Sequence, residues 1–328
     1  MSKSRISVGI DVGKDELVVV AAASKAKTFG TTAPELRRLI EWVRHQAGSQ
    51  PVHTGLEATG VYSQKVAVAL HEAGLAVSVI NAAQISAHRK ALLTRTKTDR
   101  VDAWVIWDFV VKHEPPLWSP PSPAQQQVHA LVSQLDALKA ELGQWKNRQH
   151  AQTHAVGTPE AVSRSTAAML TLLAGQIEQL EEAIATLVAE NPALAEAVAV
   201  LTSIKGVGVT SAVRVVAYGG EALTSRTRRQ LDAHAGLAPA QKQSGSSVHG
   251  RSHLAKQGNA ALRQALYMPV LVAVRYNPIF KTHYEQLLSR NKAKKVALVA
   301  CMRKLLNIMR ALLLKKTPFD PNYQCACA

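Results

Sequence analysis

The stretch Ile6-Ser7-Val8-Gly9-Ile10-Asp11-Val12-Gly13-Lys14-Asp15, with Glu16-Leu17-Val18-Val19-Val20-Ala21 behind it, decides how the first third of the chain folds. Ile6, Val8 and Ile10 alternate with small or polar residues, which is the period of a half-buried strand. Asp11 to Asp15 supplies a turn, and Leu17–Ala23 is apolar and β-rich enough for a second strand. A third short strand over Lys25–Gly30 completes an antiparallel meander. Thr32-Ala33-Pro34-Glu35 then has capping-box spacing, with proline in the first turn, and opens a helix to Gln46. Val52–Glu57 reads as a fourth strand and Tyr62–Ala73 as a helix stopped by Gly74. Leu75–Ile80 is a fifth strand, and residues 83–113 read as helical.

The order β-β-β-α-β-α-β-α is that of a ribonuclease-H-like α/β domain over residues 1–114. Pro115, Pro116, Pro120, Pro121 and Pro123 mark a linker over 115–124. Within residues 125–195, Val128, Leu131, Leu135, Leu138, Leu142 and Trp145 alternate spacings of three and four, as do Leu170, Leu173, Ile177, Leu180, Ile184 and Leu187. These are coiled-coil seams, with a polar interval at 146–168 that contains Gly157 and Pro159. Two such helices either fold back as a hairpin or pair between chains, which leaves an oligomerisation arm and an internal stalk both open. Residues 196–328 read as a mostly helical domain, interrupted by a flexible, polar segment from Gln241 to Gly258.

Charge separates these regions. The net charge is +16, yet residues 1–200 hold 19 Lys+Arg against 19 Asp+Glu, whereas residues 201–328 hold 20 against 4. A basic third on a neutral remainder reads as a polyanion-binding surface, with a general solubility or ribosome-associated bias as the bland alternative. The three cysteines, Cys301, Cys325 and Cys327, make no disulfide framework and suit a reducing cytoplasm. Met1 to Arg5 is polar and runs straight into a strand, so no signal peptide is expected. Nor is there a run of about 18 uninterrupted apolar residues to span a membrane.

Four acids stand where chemistry can use them. Asp11 ends the first strand, Glu57 ends the fourth, and Asp99 and Asp102 lie three apart on what would be one helical face. Carboxylates that converge at a sheet edge repel one another unless a divalent cation neutralises them, and hard oxygen donors suit Mg²⁺ or Mn²⁺. Two such ions can clamp the attacking and leaving oxygens of a phosphodiester. The ordinary alternatives are a turn aspartate at Asp11 and a salt-bridged helix face at Asp99 and Asp102, which Arg100 flanks. Asp15 lies in a turn and Asp108 falls off the face of Asp102, so both are set aside.

Residues 201–212 have the pattern of a helix-hairpin-helix. Gly206 and Gly208 permit the tight hairpin beside Lys205, and the second helix offers its N-terminal amides to a DNA phosphate. Further on, Gln243-Ser244-Gly245-Ser246-Ser247 followed by His249-Gly250-Arg251 and Lys256 places a serine beside glycine in basic surroundings. Its hydroxyl needs activation and cationic stabilisation to attack a phosphate. Taken alone the segment is a Ser/Gly linker.

Several of these motifs together resemble the insertion-sequence 110 (IS-110) transposases, which include Piv-type DNA invertases. Gly9-Ile10-Asp11-Val12-Gly13-Lys14, Gly55-Leu56-Glu57-Ala58-Thr59-Gly60 and Lys97-Thr98-Asp99-Arg100-Val101-Asp102-Ala103 resemble their N-terminal motifs. Gly236-Leu237-Ala238-Pro239, Gln243-Ser244-Gly245, Gly258-Asn259 and Leu262-Arg263 resemble their C-terminal transposase domain. The resemblance implies a RuvC-like N-terminal domain, a coiled-coil middle and a helical C-terminal domain, with a metal-binding DEDD tetrad at Asp11, Glu57, Asp99 and Asp102 and a catalytic serine at Ser244. The hairpin and the basic loop, read on their own residues, are expected to contact nucleic acid through Lys205, Gly206, Gly208, Arg251 and Lys256. The resemblance also implies donor and target DNA and a structured bridge RNA as guide, while the coiled-coil seams suggest a homo-oligomer and the composition a cytoplasmic, nucleoid-associated setting. The rivals are a RuvC-like endonuclease using metal-activated water, a sugar-kinase-like phosphotransferase suggested by Ile10-Asp11-Val12-Gly13, and a non-enzymatic architectural protein.

Overall fold

The computed structural model describes residues 5–21, 25–96, 98–240, 243–244, 248–249, 253–254 and 257–320. Two units emerge, residues 1–120 and 121–328, each with its own core.

In the N-terminal unit five strands form one sheet in the order β3-β2-β1-β4-β5. They are β1 (Ile6–Val12), β2 (Glu16–Ala21), β3 (Lys27–Gly30), β4 (Val52–Glu57) and β5 (Ala76–Ile80). The strand β1 runs antiparallel to β2 and parallel to β4, and β4 runs parallel to β5. Helices α1 (Ala33–Ala47) and α2 (Val61–Glu72) make the crossovers, and α3 (Ala82–Ala91) and α4 (Asp99–His113) follow β5. Because side chains alternate along a strand, Val8 and Ile10 enter a core with Leu39 and Val43 of α1 and Val66 and Leu70 of α2. The opposite face takes α4, through Ala103 against Val18 and Val20 and through Ile106 and Val110 near Ile80. A mixed sheet with this order agrees with the ribonuclease-H-like expectation.

Two local readings need correction. Residues 83–113 are two helices: after α3, Leu93 takes a left-handed φ of 53°, and Thr98 caps α4 by accepting a hydrogen bond from the Val101 N–H at 3.4 Å. A capping threonine followed by an acid in the first turn is a helix start, and it outweighs the continuous apolar composition. At α1 the capping box does not close. Thr32 makes no side-chain cap bond. The Glu35 carboxylate accepts instead from the Gly30 N–H at 3.4 Å and from Arg38 Nη1 at 2.5 Å.

In the C-terminal unit α5 (Pro123–His154) and α6 (Glu160–Glu190) fold back on each other within the chain, and Lys139 Nζ donates to Glu181 Oε1 at 2.6 Å across them. The break between them spans only 155–159, so most of the polar interval is helix. Val128, Val132, Leu135, Ile177 and Ile184 share one core with α7 (Pro192–Thr202), α8 (Val209–Gly219), α11 (Ala260–Tyr276) and α13 (Lys294–Lys315). The short α9 (Ala222–Ser225) and α10 (Arg228–His234) lead into a ribbon, and α12 (Pro278–Ser289) packs between α11 and α13. In the ribbon β6 (Pro239–Ala240) pairs antiparallel with β9 (His253–Leu254), and β7 (Gln243–Ser244) with β8 (Val248–His249). The described residues of this stretch therefore form two short ladders where an irregular segment was expected. Gly258, at φ 141°, closes the ribbon's base: a Cβ there would lie 2.5 Å from the Gly236 nitrogen.

Polar ties join helices in the same unit. Asp136 of α5 accepts from Arg214 Nη2 at 2.8 Å and from the Tyr218 hydroxyl at 2.7 Å, both on α8. Asp232 of α10, 2% exposed, accepts from Arg303 Nε at 2.5 Å and from Asn307 Nδ2 at 2.8 Å, both on α13. Cys301 is buried in α13, and burial pushes its thiol up to about 11. Cys325 and Cys327 lie outside the described residues. Among the described residues no single helix is long and apolar enough to cross a membrane.

Candidate active site

The site begins with two glycines. Gly9 of β1 and Gly55 of β4 are partners in the parallel ladder, on the sheet face opposite Ile10 and Leu56. A Cβ on Gly9 would fall within the backbone of Ala103 and Trp107, and one on Gly55 would collide with the Val110 side chain. Their bareness lets α4 settle directly on β1 and β4. Two residues further along the same face of each strand stand Asp11 and Glu57, level with each other because Ile10 pairs with Leu56. The first turn of α4 brings Asp99 and Asp102 to these strand ends. Asp11 and Asp99 line one cleft of about 370 Å³, together with Gly13, Lys14, Asp15, Glu16 and Val18.

The electrostatics report the convergence. Burial first, then the charges of Asp102, Asp99 and Glu57, push Asp11 up to about 6, against the opposing pull of Arg89. Arg89, near the end of α3, places Nη2 2.5 Å from Oδ1 of the nearly buried Asp102. Neither Arg89 Nε nor Asp102 Oδ1 finds an aligned hydrogen-bond partner, so the contact is an ion pair without full hydrogen-bond geometry. The sequence motifs do not point to Arg89. The signal available was the basic run His88-Arg89-Lys90 closing α3, which also serves the helix dipole. Asp15, set aside as a turn residue, does lie in the turn and lines the cleft as well. Asp108 is engaged elsewhere, accepting from His88 Nε2 at 2.8 Å and Lys112 Nζ at 2.9 Å. Those two bonds hold its carboxyl below the usual range although burial works the other way.

Four clustered carboxylates without histidine or sulfur are a donor set for a hard divalent cation, and their mutual repulsion is relieved by one. The side chains are not closed around a single point: among the described residues no three His, Cys, Asp or Glu groups stand at ligating distance. Chemistry and charge thus fit a cation, with Arg89 lying against one of the carboxylates that would hold it.

The remaining candidate residues belong to the other unit. Ser244 lies in β7, its backbone paired with Val248. Arg251 and Lys256 lie outside the described residues. Lys205 is exposed in the connection from α7 to α8, and its carbonyl accepts from Asn277 Nδ2 at 3.4 Å. Gly206, at φ 111°, is pressed against Ala273 of α11, and Gly208 opens α8 with nothing within 4 Å of its would-be Cβ.

Comparison with known proteins accounts for both units. Residues 8–156 match a DEDD transposase domain of IS110 type, described as "Transposase", and residues 198–285 match "Transposase IS116/IS110/IS902 family". The first match suggests dependence on a divalent metal. The pilin gene-inverting protein of Moraxella bovis is 31% identical over 322 residues, 97% of this chain and 98% of that protein. Its counterpart in Moraxella lacunata shows the same identity and coverage. An uncharacterized 43.6 kDa protein of insertion element IS110 in Streptomyces coelicolor is 32% identical over 164 residues, 50% of this chain and 39% of that one. With both domain types present in order and a relative aligned from end to end, the chain belongs to the IS110 family of transposases and invertases, enzymes that recombine DNA.

Proposed function

We propose that this recombinase cuts and rejoins DNA by transesterification through a serine–DNA ester, with Asp11, Glu57, Asp99 and Asp102 holding Mg²⁺ or Mn²⁺ and Ser244 as nucleophile. The observation that carries the metal half of this reading is the convergence of two strand-end acids and two first-turn acids on one sheet edge. A cation bound there supplies Lewis-acid polarisation of the scissile phosphate. The Ser244 hydroxyl attacks phosphorus: the Oγ–P bond forms as the P–O bond to deoxyribose breaks, and the serine proton ends on the departing deoxyribose oxygen. A hydroxyl of a second strand then attacks the ester and the serine recovers its proton. One phosphodiester is exchanged for another, so no nucleotide cofactor is consumed.

The basic C-terminal unit is the surface for DNA, with Lys205 and the α8 amides beside Gly206 and Gly208 meeting backbone phosphates, and Arg251 and Lys256 supporting the serine. The α5–α6 pair serves as an arm between subunits, as a coiled coil. An RNA guide supplies site choice, a reading carried by the family resemblance, since the basic third would suit plain DNA equally well. As the name of the Moraxella pilin gene-inverting proteins indicates for them, inversion of a DNA segment is one outcome of such exchange.

A nicked suicide substrate tests the chemistry. The full-length protein should become covalently joined to DNA in a metal-dependent manner, and Ser244→Ala should not. An adduct formed by Ser244→Ala removes the assignment, and cleavage with no adduct favours metal-activated water. Sequencing nucleic acid that co-purifies with the protein tests the guide.

A further inference from the structure

Acids gathered at one sheet edge must be held together before any cation arrives. Among the described residues Arg89 is a cation in contact with them, its Nη2 2.5 Å from Asp102 Oδ1 with the two side chains 20% and 12% exposed. Lys14 only lines the exposed side of the cleft. The Arg89–Asp102 contact is incomplete, since Arg89 Nε is buried without a hydrogen-bond partner and Asp102 Oδ1 receives no aligned bond. A buried guanidinium ordinarily satisfies its donors, and one that does not is held by charge more than by directional bonds. The backbone beneath it is fixed, however. His88, the preceding residue, bonds Asp108 at 2.8 Å with both side chains 9% exposed, and Lys112 bonds the same aspartate at 2.9 Å. Arg89 can therefore leave Asp102 by rotating its side chain, with α3 staying in place.

We propose that Arg89 is a resident counter-cation, which holds Asp102 in the metal-free protein, competes with the divalent ion for that carboxylate, and swings away when the ion binds. It is a positioning residue, and its role rests on the reading of the four acids as a metal site. The stand-in keeps the acidic edge assembled at the cost of metal affinity. That trade is what separates it from an arginine that merely braces α3 against α4.

The test measures Mn²⁺ binding to the full-length protein by calorimetry, and melting temperature with and without Mn²⁺. Wild type should bind Mn²⁺ at a site that Asp11→Asn removes. Arg89→Gln should bind about tenfold more tightly, melt lower without metal, and show a larger Mn²⁺-induced rise in melting temperature. Arg89→Lys, which keeps the charge and loses the planar fork, should fall between and carries the comparison if Arg89→Gln does not fold. Unchanged or weaker binding in both variants, with the Asp11-dependent site intact, overturns the counter-cation. No Mn²⁺ uptake by wild type, or uptake indifferent to Asp11→Asn, overturns the metal reading and the proposal with it.

Discussion

Asp102 and Asp232 are both nearly buried aspartates that face an arginine, yet the two surroundings are finished to different degrees. Asp232 has one oxygen taken by Arg303 Nε and the other by Asn307 Nδ2, and the Arg303 side chain is 44% exposed. Among the described residues Asp102 has Arg89, close but misaligned, and Asp11 with its neighbouring carboxylates lies within electrostatic reach. Both pairs meet a desolvation penalty, which only good geometry and additional hydrogen bonds offset. The C-terminal pair meets that condition at both oxygens of Asp232 and ties α10 to α13, leaving only the Asn307 Oδ1 of that network buried without a partner. The N-terminal pair leaves charge in excess, which is what a cation site requires and a structural tie avoids.

Four measurements press on this contrast. The largest effect is expected from Asp11→Asn, which should lower recombination in a plasmid assay by about a thousandfold or more while leaving the melting temperature undiminished. Activity within tenfold of wild type would remove Asp11 from the site. Next, Asp232→Ala should destabilise the protein by about 3 kcal/mol in urea unfolding, because the buried Asn307 amide and a half-buried guanidinium lose their acceptor. A loss below about 0.5 kcal/mol would show that the finished network contributes little.

Third, Mn²⁺ affinity should be about tenfold weaker at pH 5 than at pH 7, since a proton on Asp11 competes with the metal below about 6. A flat profile over that range would mean that Asp11 does not touch the ion. The smallest effect concerns stability without metal. A carboxyl raised from 3.8 to about 6 binds its proton more tightly in the folded chain, so stability falls as pH rises from about 4 to about 6 and stays lower above. Relative to wild type, metal-free Asp11→Asn should gain about 1 kcal/mol at pH 8, a figure reduced for the half-exposed position, and gain nothing below pH 4. Equal stability at both pH values would count against the crowding of charge.

What was legible in the sequence was whatever depends on neighbours along the chain. Val52–Glu57 is a strand with the bounds its alternation and flanking turn residues indicate. The nearness of the four acids could be anticipated because each carries a local sign: a strand end before a glycine turn, or the first turn of a helix behind a capping threonine. Arg89 carries no such sign, for its partner lies 13 residues on across two helices and its basic neighbours already have a reason to close α3. The seams of α5 and α6 showed which faces are apolar, but an apolar face does not say whether its partner is in the same chain. The ribbon around Ser244 escaped notice because Ser-Gly-Ser-Ser lacks an Asn-Gly or Asp-Gly hairpin signal between alternating apolar residues.

The paired glycines under α4 set the dimensions of the acidic site. The gap between strand-borne acids and helix-borne acids is fixed by two missing methyl groups, one beside Ala103 and one beside Val110. A side chain at either position would act as a shim, lifting the helix and parting Asp99 and Asp102 from Asp11 and Glu57 without altering any of the four. A cation site built on these acids would be calibrated by residues that never touch the ion, and drift at Gly9 or Gly55 would part the four as surely as the loss of one.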